Sequence, residues 1–391
     1  MRISPIVNSF SSGELSPRLM GRTDSDKYTS GAEVMENFIP LPHGGALRRG
    51  GTKHIAEVKT STQEQRLIPF EYSIDQTYDL EIGNEYIRFY TESAGVYGQV
   101  QSGGSAYEIA APWLESEVDA IQYAQNADVM WLVHPNHPPQ RIVRNSHTSW
   151  TLAAESFDFT PLNEVNYDDT KTLTFQNQNK ADQNLTASWA FFESSMVGQD
   201  MLVDVDHGLP TGEVISVKIV SITSATVAVV SIESDESVPS LTATAFWQAP
   251  AYTATNGYPA ALVFYEQRLW YAGTTAKPQS MWGSKTGVYN NFETGANADQ
   301  ALFYTIASDR VNEIKWLAAT TVMMAGTSGG EFRISGGGES AITPTNVDVR
   351  RQTSHGSRRG RPVYVGNAVF FIQRSNTKVR NLSYKWESDA F

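Results

Sequence analysis

Residues 78–90, YDLEIGNEYIRFY, decide the fold class of this chain. Apolar and aromatic side chains alternate with polar ones on both sides of Gly83-Asn84. This alternation is typical of two antiparallel strands, and a glycine with an asparagine is a common two-residue turn between such strands. The stretch therefore predicts a β-hairpin with its turn at Gly83-Asn84.

Four further segments repeat this pattern of two apolar strands around a turn. The strand pairs are 128–133 with 140–143, 267–272 with 278–282, 322–326 with 331–334, and 368–372 with 378–382. In two of them a Trp lies nine residues before the Gln of a Pro-Gln pair, Trp131 before Gln140 and Trp270 before Gln279.

The hairpins recur at nearly constant intervals. Leu80 lies 51 residues before Trp131, Trp270 lies 53 before Met323, and Met323 lies 47 before Phe370. A period of about 40–50 residues built from short strands is typical of β-propeller blades, which need neighbouring blades to cover their faces. The alternative is an ordinary β protein with irregularly spaced hairpins, and the repeated Trp and Pro-Gln spacing argues against it.

One interval is much longer than the others and indicates an insertion. Trp131 and Trp270 are 139 residues apart, which is one period plus the segment 161–250. Alternating stretches at 214–220 and 225–230 predict a small β-sandwich or β-barrel there. The segment has 12 acidic residues and 3 lysines, so it accounts for −9 of the chain's net charge of −12.

Composition limits the function classes. The 391 residues are 40% apolar and 11% aromatic, enough for a sizeable core. The absence of cysteine excludes disulfides, zinc–thiolate sites and thiol catalysis, and fits a reducing cytoplasm. The net charge argues against wrapping nucleic acid by neutralising phosphates. We see no signal-peptide pattern and no apolar run of about 18–20 residues, so we expect a soluble chain with no membrane-spanning segment and no export signal.

The first residues differ from the rest, because repeated glycines interrupt any period and few apolar residues are available for a core. We therefore predict a mostly β fold with an interrupted β-propeller-like body and an inserted small β-sandwich or β-barrel domain. The predicted organisation is an extended glycine-rich N-terminal arm at 1–60, first propeller blades at 61–160, an inserted acidic β domain at 161–250, and further blades at 251–391.

Two groups of motifs carry a family resemblance. The first is NSF at 8–10, GELSPR at 13–18, GRTD at 21–24, ENF at 36–38, PHGGA at 42–46 and RRGGT at 48–52. The second is FYEQRLW at 264–270, SK at 284–285, NF at 291–292, IAS at 306–308, GGE at 329–331, TP at 343–344 and GNAVF at 366–370. Together they resemble the nozzle family of podovirus tails, also called tail tubular protein B.

The resemblance implies a non-enzymatic virion protein of a bacteriophage with a short, non-contractile tail, made in the host bacterial cytoplasm. It implies a homohexameric ring below the tail adaptor protein, with tail fibre or spike proteins as partners and double-stranded DNA passing through during ejection. It implies no catalytic residues and no cofactor. Members of the family continue well beyond the position of Phe391, which implies either a shortened protein or a further polypeptide that supplies the rest of the fold.

Two other functions are compatible with a β-propeller. One is a virion module that binds host glycans or tail fibres through exposed aromatic side chains, with the insertion facing the receptor. The other is a tail-associated glycan hydrolase, for which Asp168-Asp169 and the pair Glu115 and Glu117 are candidates by residue type alone. Residues 283–286, GSKT, match the end of a phosphate-binding loop, but Pro278 stands where the first glycine of that motif belongs. We therefore interpret the segment as a turn.

Possible metal ligands are sparse. His134 and His137 lie three residues apart, but the prolines around them predict a turn, and no third ligand is near them along the chain. Asp200, Asp204 and Asp206 offer oxygen ligands without the spacing of a calcium loop. We therefore predict no metal site and interpret these aspartates as a solvated strand face.

The strongest local charge is basic. Residues 350–361, RRQTSHGSRRGR, contain five arginines and no acid. They can meet DNA phosphates in a channel or acids on a neighbouring subunit, and we favour the subunit because a tight phosphate grip slows DNA passage. With the pair in the glycine-rich opening, the predicted subunit or adaptor interface residues are Arg48, Arg49, Arg350, Arg351, Arg358, Arg359 and Arg361.

Overall fold

Strands and short 3-10 helices make up the regular secondary structure in the part of the chain that the structure describes. The structure is a computed structural model and describes residues 6–93, 95–205, 214–234, 237–307 and 311–383. The predicted mostly β class is confirmed. The chain divides into two compact units, Met1–Ala56 and Glu57–Phe391.

The first unit contains two small strand pairs. Its elements are β1 (Gly13–Glu14), a 3-10 helix (Pro17–Leu19), β2 (Gly31–Ala32), β3 (Phe38–Pro40) and β4 (Ala46–Arg48), with β1 parallel to β2 and β3 antiparallel to β4. Leu15 is the one buried apolar side chain in residues 6–56, and a Cβ atom on Gly31 would lie 2.4 Å from its Cγ. Because so little apolar surface is buried, hydrogen bonds hold most of this unit together.

The second unit begins with a sheet around the first predicted hairpin. Its strands are β5 (Arg66–Ser73), β6 (Gln76–Gly83), β7 (Tyr86–Ser93), β8 (Val96–Gln99) and β11 (Glu108–Ala110), with β9 (Gln101–Ser102) and β10 (Ser105–Ala106) as a separate ribbon. The turn lies one residue later than predicted. Gly83 pairs with Tyr86 inside the ladder, and Glu85 takes the left-handed conformation with a φ of 61°.

The second sheet is an antiparallel meander in chain order. A 3-10 helix (Glu115–Ala120) leads into β12 (Gln122–Asn126), β13 (Val129–His134), β14 (His137–Ser146) and β15 (Ser149–Ala154). Pro135 and Asn136 form the turn between β13 and β14, as the prolines predicted.

The inserted segment forms a curled sheet with its own core. Its elements are β16 (Leu173–Phe175), β17 (Gln183–Ala187), a 3-10 helix (Ser194–Met196), β18 (Asp200–Asp204), β19 (Val214–Ser224), β20 (Val227–Ile232) and β21 (Trp247–Gln248), and the strand order is β16-β17-β20-β19-β18-β21. An isolated bridge connects Leu173 of β16 with Thr244, three residues before β21, so the sheet is strongly curled, like half of a small barrel. One apolar cluster drawn from residues 173–249 fills it.

Three more antiparallel meanders follow the insertion. The third sheet is β22 (Ala261–Tyr265), β23 (Arg268–Ala272), β24 (Ser280–Gly283) and β25 (Leu302–Thr305); the fourth is β26 (Ile314–Ala319), β27 (Met323–Thr327), β28 (Gly330–Ser335) and β29 (Asp348–Thr353), with a 3-10 helix (Gly337–Glu339); the fifth is β30 (Val363–Val365), β31 (Ala368–Ile372) and β32 (Val379–Ser383). All five predicted hairpins are confirmed as adjacent antiparallel strands, one in each of these sheets and the first two.

The apolar cores of the body lie between successive sheets. Each of four clusters draws side chains from one sheet and the next along the chain. Aromatic pairs cross these gaps: Phe89 and Trp150 at 4.6 Å, Trp131 and Phe264 at 5.3 Å, and Trp316 and Phe371 at 5.4 Å between ring centroids. A sheet covered on both faces explains why all five residues of β23 are buried.

The first strands of successive sheets lie side by side. Glu71 of β5 and Gln125 of β12 exchange two hydrogen bonds of 3.1 and 2.7 Å. β12 contacts β22, and β22 contacts β26. The Tyr364 hydroxyl of β30 accepts the Ala319 N–H of β26 at 2.9 Å. The sheets are therefore arranged like blades around their first strands, which confirms the β-propeller-like body, interrupted by the inserted sheet between its second and third blades.

Among the described residues no helix has both the length and the apolar character needed to span a membrane.

Candidate functional site

The exposed pair of the predicted arginine cluster lies on a sheet edge. Arg350 and Arg351 belong to β29, the last strand of the fourth sheet. Arg350 is 67% exposed and pairs with Asp348 at 2.8 Å, while Arg351 donates to the Gly329 carbonyl at 3.2 Å. Their guanidinium groups therefore give the outer edge of this blade a positive charge that solvent or another chain can reach.

Two other arginines of the cluster bind groups within their own chain. Arg359 forms an ion pair with Glu313, and Lys315 lies 2.5 Å from the same carboxylate. Burial raises the pKa of Glu313, but the positive charges of Lys315 and Arg359 together lower it by more than burial raises it. The pKa of Glu313 is therefore lower than its usual value. The Arg361 guanidinium lies 4.2 Å from the centroid of the Tyr123 ring, a cation–π contact. The predicted cluster is thus divided rather than one continuous patch.

The remaining predicted interface arginines are exposed. Arg358 lies in the connection between the fourth and fifth sheets, where its N–H donates to the Ile372 carbonyl at 2.9 Å. Arg48 ends β4 in the first unit, and the Arg49 Nε donates to Asn37 at 3.2 Å. The interface role of all seven arginines stays a prediction.

The inserted segment presents the opposite charge. Exposed carboxylates on it are Glu164, Asp168, Asp169, Asp182 and Glu233. Two are partly neutralised, Glu164 by Lys277 and Asp168 by Lys171, each at 3.1 Å. Four more acids of the segment, at positions 206, 213, 235 and 236, lie outside the described residues.

A cleft with an aromatic wall lies beside the inserted sheet. Trp189, Phe191 and Trp247 are in mutual contact, with ring centroids 4.8 to 5.3 Å apart. They line a cleft of about 730 Å³. Its polar lining consists of Asn166, Asp168, Lys171, Glu193, Asn256 and Lys277, among others.

Of the carboxylates considered for glycoside cleavage, Asp168 and Glu115 have structural partners. Asp168 accepts hydrogen bonds from the N–H and hydroxyl of Thr170, which together with Lys171 lower its pKa. Glu115 accepts the Glu64 N–H at 3.0 Å. Such contacts are those of turn-stabilising groups rather than of an acid and base facing a shared substrate.

The aspartates considered for a cation are also separated. Asp200 is buried and accepts the N–H and hydroxyl of Thr160 at 2.8 and 2.9 Å, with Lys218 at 3.8 Å. Asp204 ends β18, and position 206 lies outside the described residues. Asp200 therefore anchors the inserted sheet to the segment that enters it.

The two histidines singled out in the sequence gain a third neighbour. His134 ends β13 and His137 begins β14, so the Pro135-Asn136 turn holds the two rings 5.4 Å apart. Glu117, on the 3-10 helix before β12, places Oε2 2.7 Å from His137 Nε2 and Oε1 4.0 Å from His134 Nδ1. Glu117, His134 and His137 thus form a group of three potential metal ligands within the described part of the chain. Their ligand atoms all lie within 4.8 Å of one another.

The protonation states in this cluster follow from its surroundings. Burial of His134 lowers its pKa to about 4, so its ring is neutral at pH 7. Partial burial raises the pKa of Glu117, but hydrogen bonds from Asn136 Nδ2, the Leu114 N–H and His137 outweigh it and lower that pKa to about 2. The cluster therefore combines a carboxylate anion with at least one neutral imidazole.

Sequence reasoning named Glu117 only as a candidate acid for glycoside cleavage and did not connect it with His134 and His137, because it looked for a third ligand close to them along the chain. Glu117 precedes His134 by 17 residues. Antiparallel pairing of β12 with β13 matches Gln122 with Val133, which brings the residues before β12 to the end of β13. The signal in the sequence is the pairing of β12 with β13, which would have placed Glu117 near His134 and His137.

Comparisons with known proteins give only distant likenesses. No protein-family model matches the chain, and no curated protein matches it. A solved structure of a candidate 6-phosphogluconolactonase from Bacteroides fragilis NCTC 9343 is similar with a TM-score of 0.39 and 10% identity, covering 89% of this chain and 85% of that one. A computationally designed protein, Ika8, gives a TM-score of 0.20 and 9% identity, covering 80% of this chain and 94% of that one. At such TM-scores neither likeness bears on function, and the architecture rests on the strand pairing itself.

Proposed function

We propose that this chain is a structural subunit of a short phage tail, forming with identical copies the nozzle ring below the adaptor through which DNA is ejected. The motifs at 8–52 and 264–370, which resemble the nozzle family, support the proposal. The observation that carries it is the separation of charge on the chain, with exposed arginines on the edge of the fourth blade and exposed carboxylates on the inserted sheet.

Opposite charges on different surfaces of one chain favour head-to-tail contact between copies. Such a heterologous interface closes into a ring when the rotation between neighbours divides a full turn. Complementary charges steer neighbours together and oppose wrong pairings, in which like charges would face each other. Arg350 on one copy and exposed acids such as Asp169 or Asp182 on the next are the groups that we expect to meet.

A propeller-like body suits a wall that must stay rigid while DNA passes. Its cores lie between sheets and contain tightly packed aromatic rings, so each blade is fixed by its neighbours. The acidic insertion repels phosphates, and two of the arginines are held by Glu313 and Tyr123 in their own chain. The exposed Arg350 and Arg351 are then the groups that we assign to the neighbouring copy rather than to DNA.

Assembly with the adaptor tests the proposal. Purified chain mixed with the adaptor ring of the same phage should form a ring of six copies, visible by electron microscopy and native mass spectrometry. Arg350→Glu should raise the concentration needed for half-assembly about tenfold, equivalent to about 1.4 kcal/mol, because like charges then face each other.

Lys378→Glu is the matched control, because it makes the same charge change at an exposed position in the connection between β31 and β32. It should assemble like the unaltered chain. A chain that stays monomeric beside a functional adaptor ring would remove the nozzle proposal. A ring that forms equally well with Arg350→Glu would remove the arginine edge from its interface.

The aromatic cleft favours a second function, a virion module that binds host glycans. Stacked or tilted rings of Trp189, Phe191 and Trp247 offer flat apolar faces for the C–H face of a sugar. Amide, carboxylate and ammonium groups around them offer hydrogen bonds to hydroxyls.

Titration with oligosaccharides from the host surface checks this alternative. Binding should quench tryptophan fluorescence in the unaltered chain and weaken about tenfold or more in Trp189→Ala, since loss of a central aromatic should cost about 1.4 kcal/mol or more. Tyr72→Ala, an exposed aromatic on the first sheet, should bind normally. Equal binding by both variants would dismiss the cleft as the glycan site, and release of reducing ends would indicate a hydrolase instead.

A further inference from the structure

We propose that Glu117, His134 and His137 form a binding site for one divalent transition-metal ion, with zinc as the preferred ion. The site lies in the second sheet and involves none of the groups that carry the nozzle proposal. One carboxylate and two imidazoles are a ligand set that zinc uses in proteins, with a fourth position open to water.

The distances between ligand atoms suit an ion placed among them. Zinc binds imidazole nitrogen at about 2.0–2.1 Å and carboxylate oxygen at about 2.0–2.2 Å, so tetrahedral ligands lie about 3.3 Å apart. The observed separations of 2.7 Å for His137 and 4.0 Å for His134 from Glu117 lie on either side of that value. The ligand atoms of the three residues all lie within 4.8 Å of one another, so side-chain shifts of about 1.5 Å or less would bring them to the separations that zinc needs.

The cluster is held in place by outer contacts. Asn136 Nδ2 donates to Glu117 Oε1 and the Leu114 N–H donates to Oε2, both at 3.0 Å. Both bonds leave lone pairs of the carboxylate available for an ion. In known metal sites, hydrogen-bond donors of this kind orient the carboxylates that bind the metal. The Asn136 N–H also donates to His134 Nδ1 at 3.2 Å, a long bond that a metal ion would replace.

Charges around the cluster favour a cation on balance. Glu117 supplies the carboxylate of the cluster, with one oxygen facing His137 Nε2 and the other facing His134 Nδ1. Arg359 is the opposing charge near His134, and its ion pair with Glu313 offsets it. The ion can enter from the side of His137, which is 21% exposed, whereas His134 is 3% exposed.

The ion would join the 3-10 helix Glu115–Ala120 to the turn between β13 and β14. Both belong to the second blade, and the Arg66 guanidinium of the first blade already donates to the Val118 carbonyl at 3.2 Å. Metal binding would therefore stabilise the folded chain at the junction of the first two blades, because an ion that binds only the native state shifts the unfolding equilibrium.

Cobalt and zinc titrations of the full chain, free of affinity tags and stripped with a chelator, test the site. We expect one equivalent of Co²⁺ with the intense visible absorption of a four- or five-coordinate ion, displaced by Zn²⁺. Glu117→Gln and His137→Ala should each lower the affinity for Zn²⁺ about tenfold or more. His147→Ala removes an exposed histidine of the same blade and should change nothing.

A measurement on the unaltered chain covers the case in which a variant fails to fold. X-ray absorption of the zinc-loaded protein should show two imidazole ligands and no sulfur. Absence of a stoichiometric ion, fewer than two imidazoles, or equal affinity in folded Glu117→Gln and His137→Ala would overturn the site. None of these outcomes depends on whether the chain assembles into a ring.

Discussion

A buried carboxylate in the first blade shows how single residues depart from the alternating pattern. Glu81 occupies a polar position of the 78–90 hairpin, yet it is only 1% exposed. The Tyr86 hydroxyl donates to its Oε1 at 2.5 Å and the Tyr90 hydroxyl donates to its Oε2. Burial, followed by the bond to Glu81, raises the pKa of Tyr90 to about 12, so this phenol remains a donor at ordinary pH.

We expect Tyr86→Phe to destabilise the protein by about 1–3 kcal/mol, because it leaves a buried carboxylate oxygen without one of its donors. Denaturant unfolding followed by circular dichroism measures the change.

Tyr271→Phe is the matched control for that experiment. The buried Tyr271 hydroxyl has no hydrogen-bond partner among the described residues, so its removal should leave stability unchanged or slightly higher. If both variants lose the same free energy, the hydroxyl of Tyr86 has no special role in satisfying Glu81.

The group of Glu117, His134 and His137 shows how much of a proposed metal site can be predicted from single residues of the sequence. The prolines around His134 and His137 predicted the turn, because proline fixes the backbone locally. Glu117 reaches the histidines through the pairing of β12 with β13, and that pairing depends on the whole blade. Ligands brought together by non-local contacts leave no spacing pattern in the chain.

Strand glycines pack against large aromatic rings in three of the sheets. Gly83 lies against Tyr86 in the first sheet, and Gly283 pairs with Trp270 in the third. In the fourth sheet Gly326 pairs with Trp316, and a Cβ atom there would lie 2.0 Å from Trp316 Cε2. The missing side chain leaves room for the ring to lie flat on the neighbouring strand.

Gly326→Ala should therefore destabilise the protein by about 1–3 kcal/mol, because Trp316 and the strands around it must shift in a packed core. Thermal unfolding with tryptophan fluorescence detects the change.

Gly98→Ala provides the comparison in an open strand position. A Cβ atom on Gly98 meets nothing within 4 Å, so we expect no loss of stability there. A loss at Gly98 equal to that at Gly326 would mean that the cost arises from the strand backbone rather than from contact with Trp316.

The strand elements were the most predictable part of the structure. All five hairpins follow from alternation of apolar and polar residues, which records the two faces of a strand directly. The first turn was placed one residue early because glycine usually marks a turn, whereas Gly83 lies beneath Tyr86 inside the ladder. Packing against a ring overrode the local preference of glycine.

At the scale of the whole molecule, the near-constant spacing of hairpins predicted sheets that depend on one another, and the four cores between sheets agree with this. The arginine cluster was less predictable. Its members are close in sequence, but the chain turns from the edge of the fourth sheet toward its first strand between positions 351 and 359. Charge density along a sequence therefore does not establish a continuous patch on a folded surface.

Because the cores lie between sheets, the order in which the chain leaves the ribosome matters. The second blade presents Trp131 and Val133 to the third blade, yet residues 155–260 must be synthesised before that blade emerges. The inserted sheet fills its interior from residues 173–249 alone and can close during this interval. During this interval the nascent chain exposes the face of the second blade that contains Trp131, although the inserted sheet has already folded. A chaperone that covers exposed apolar surface would therefore act mainly at this stage of synthesis.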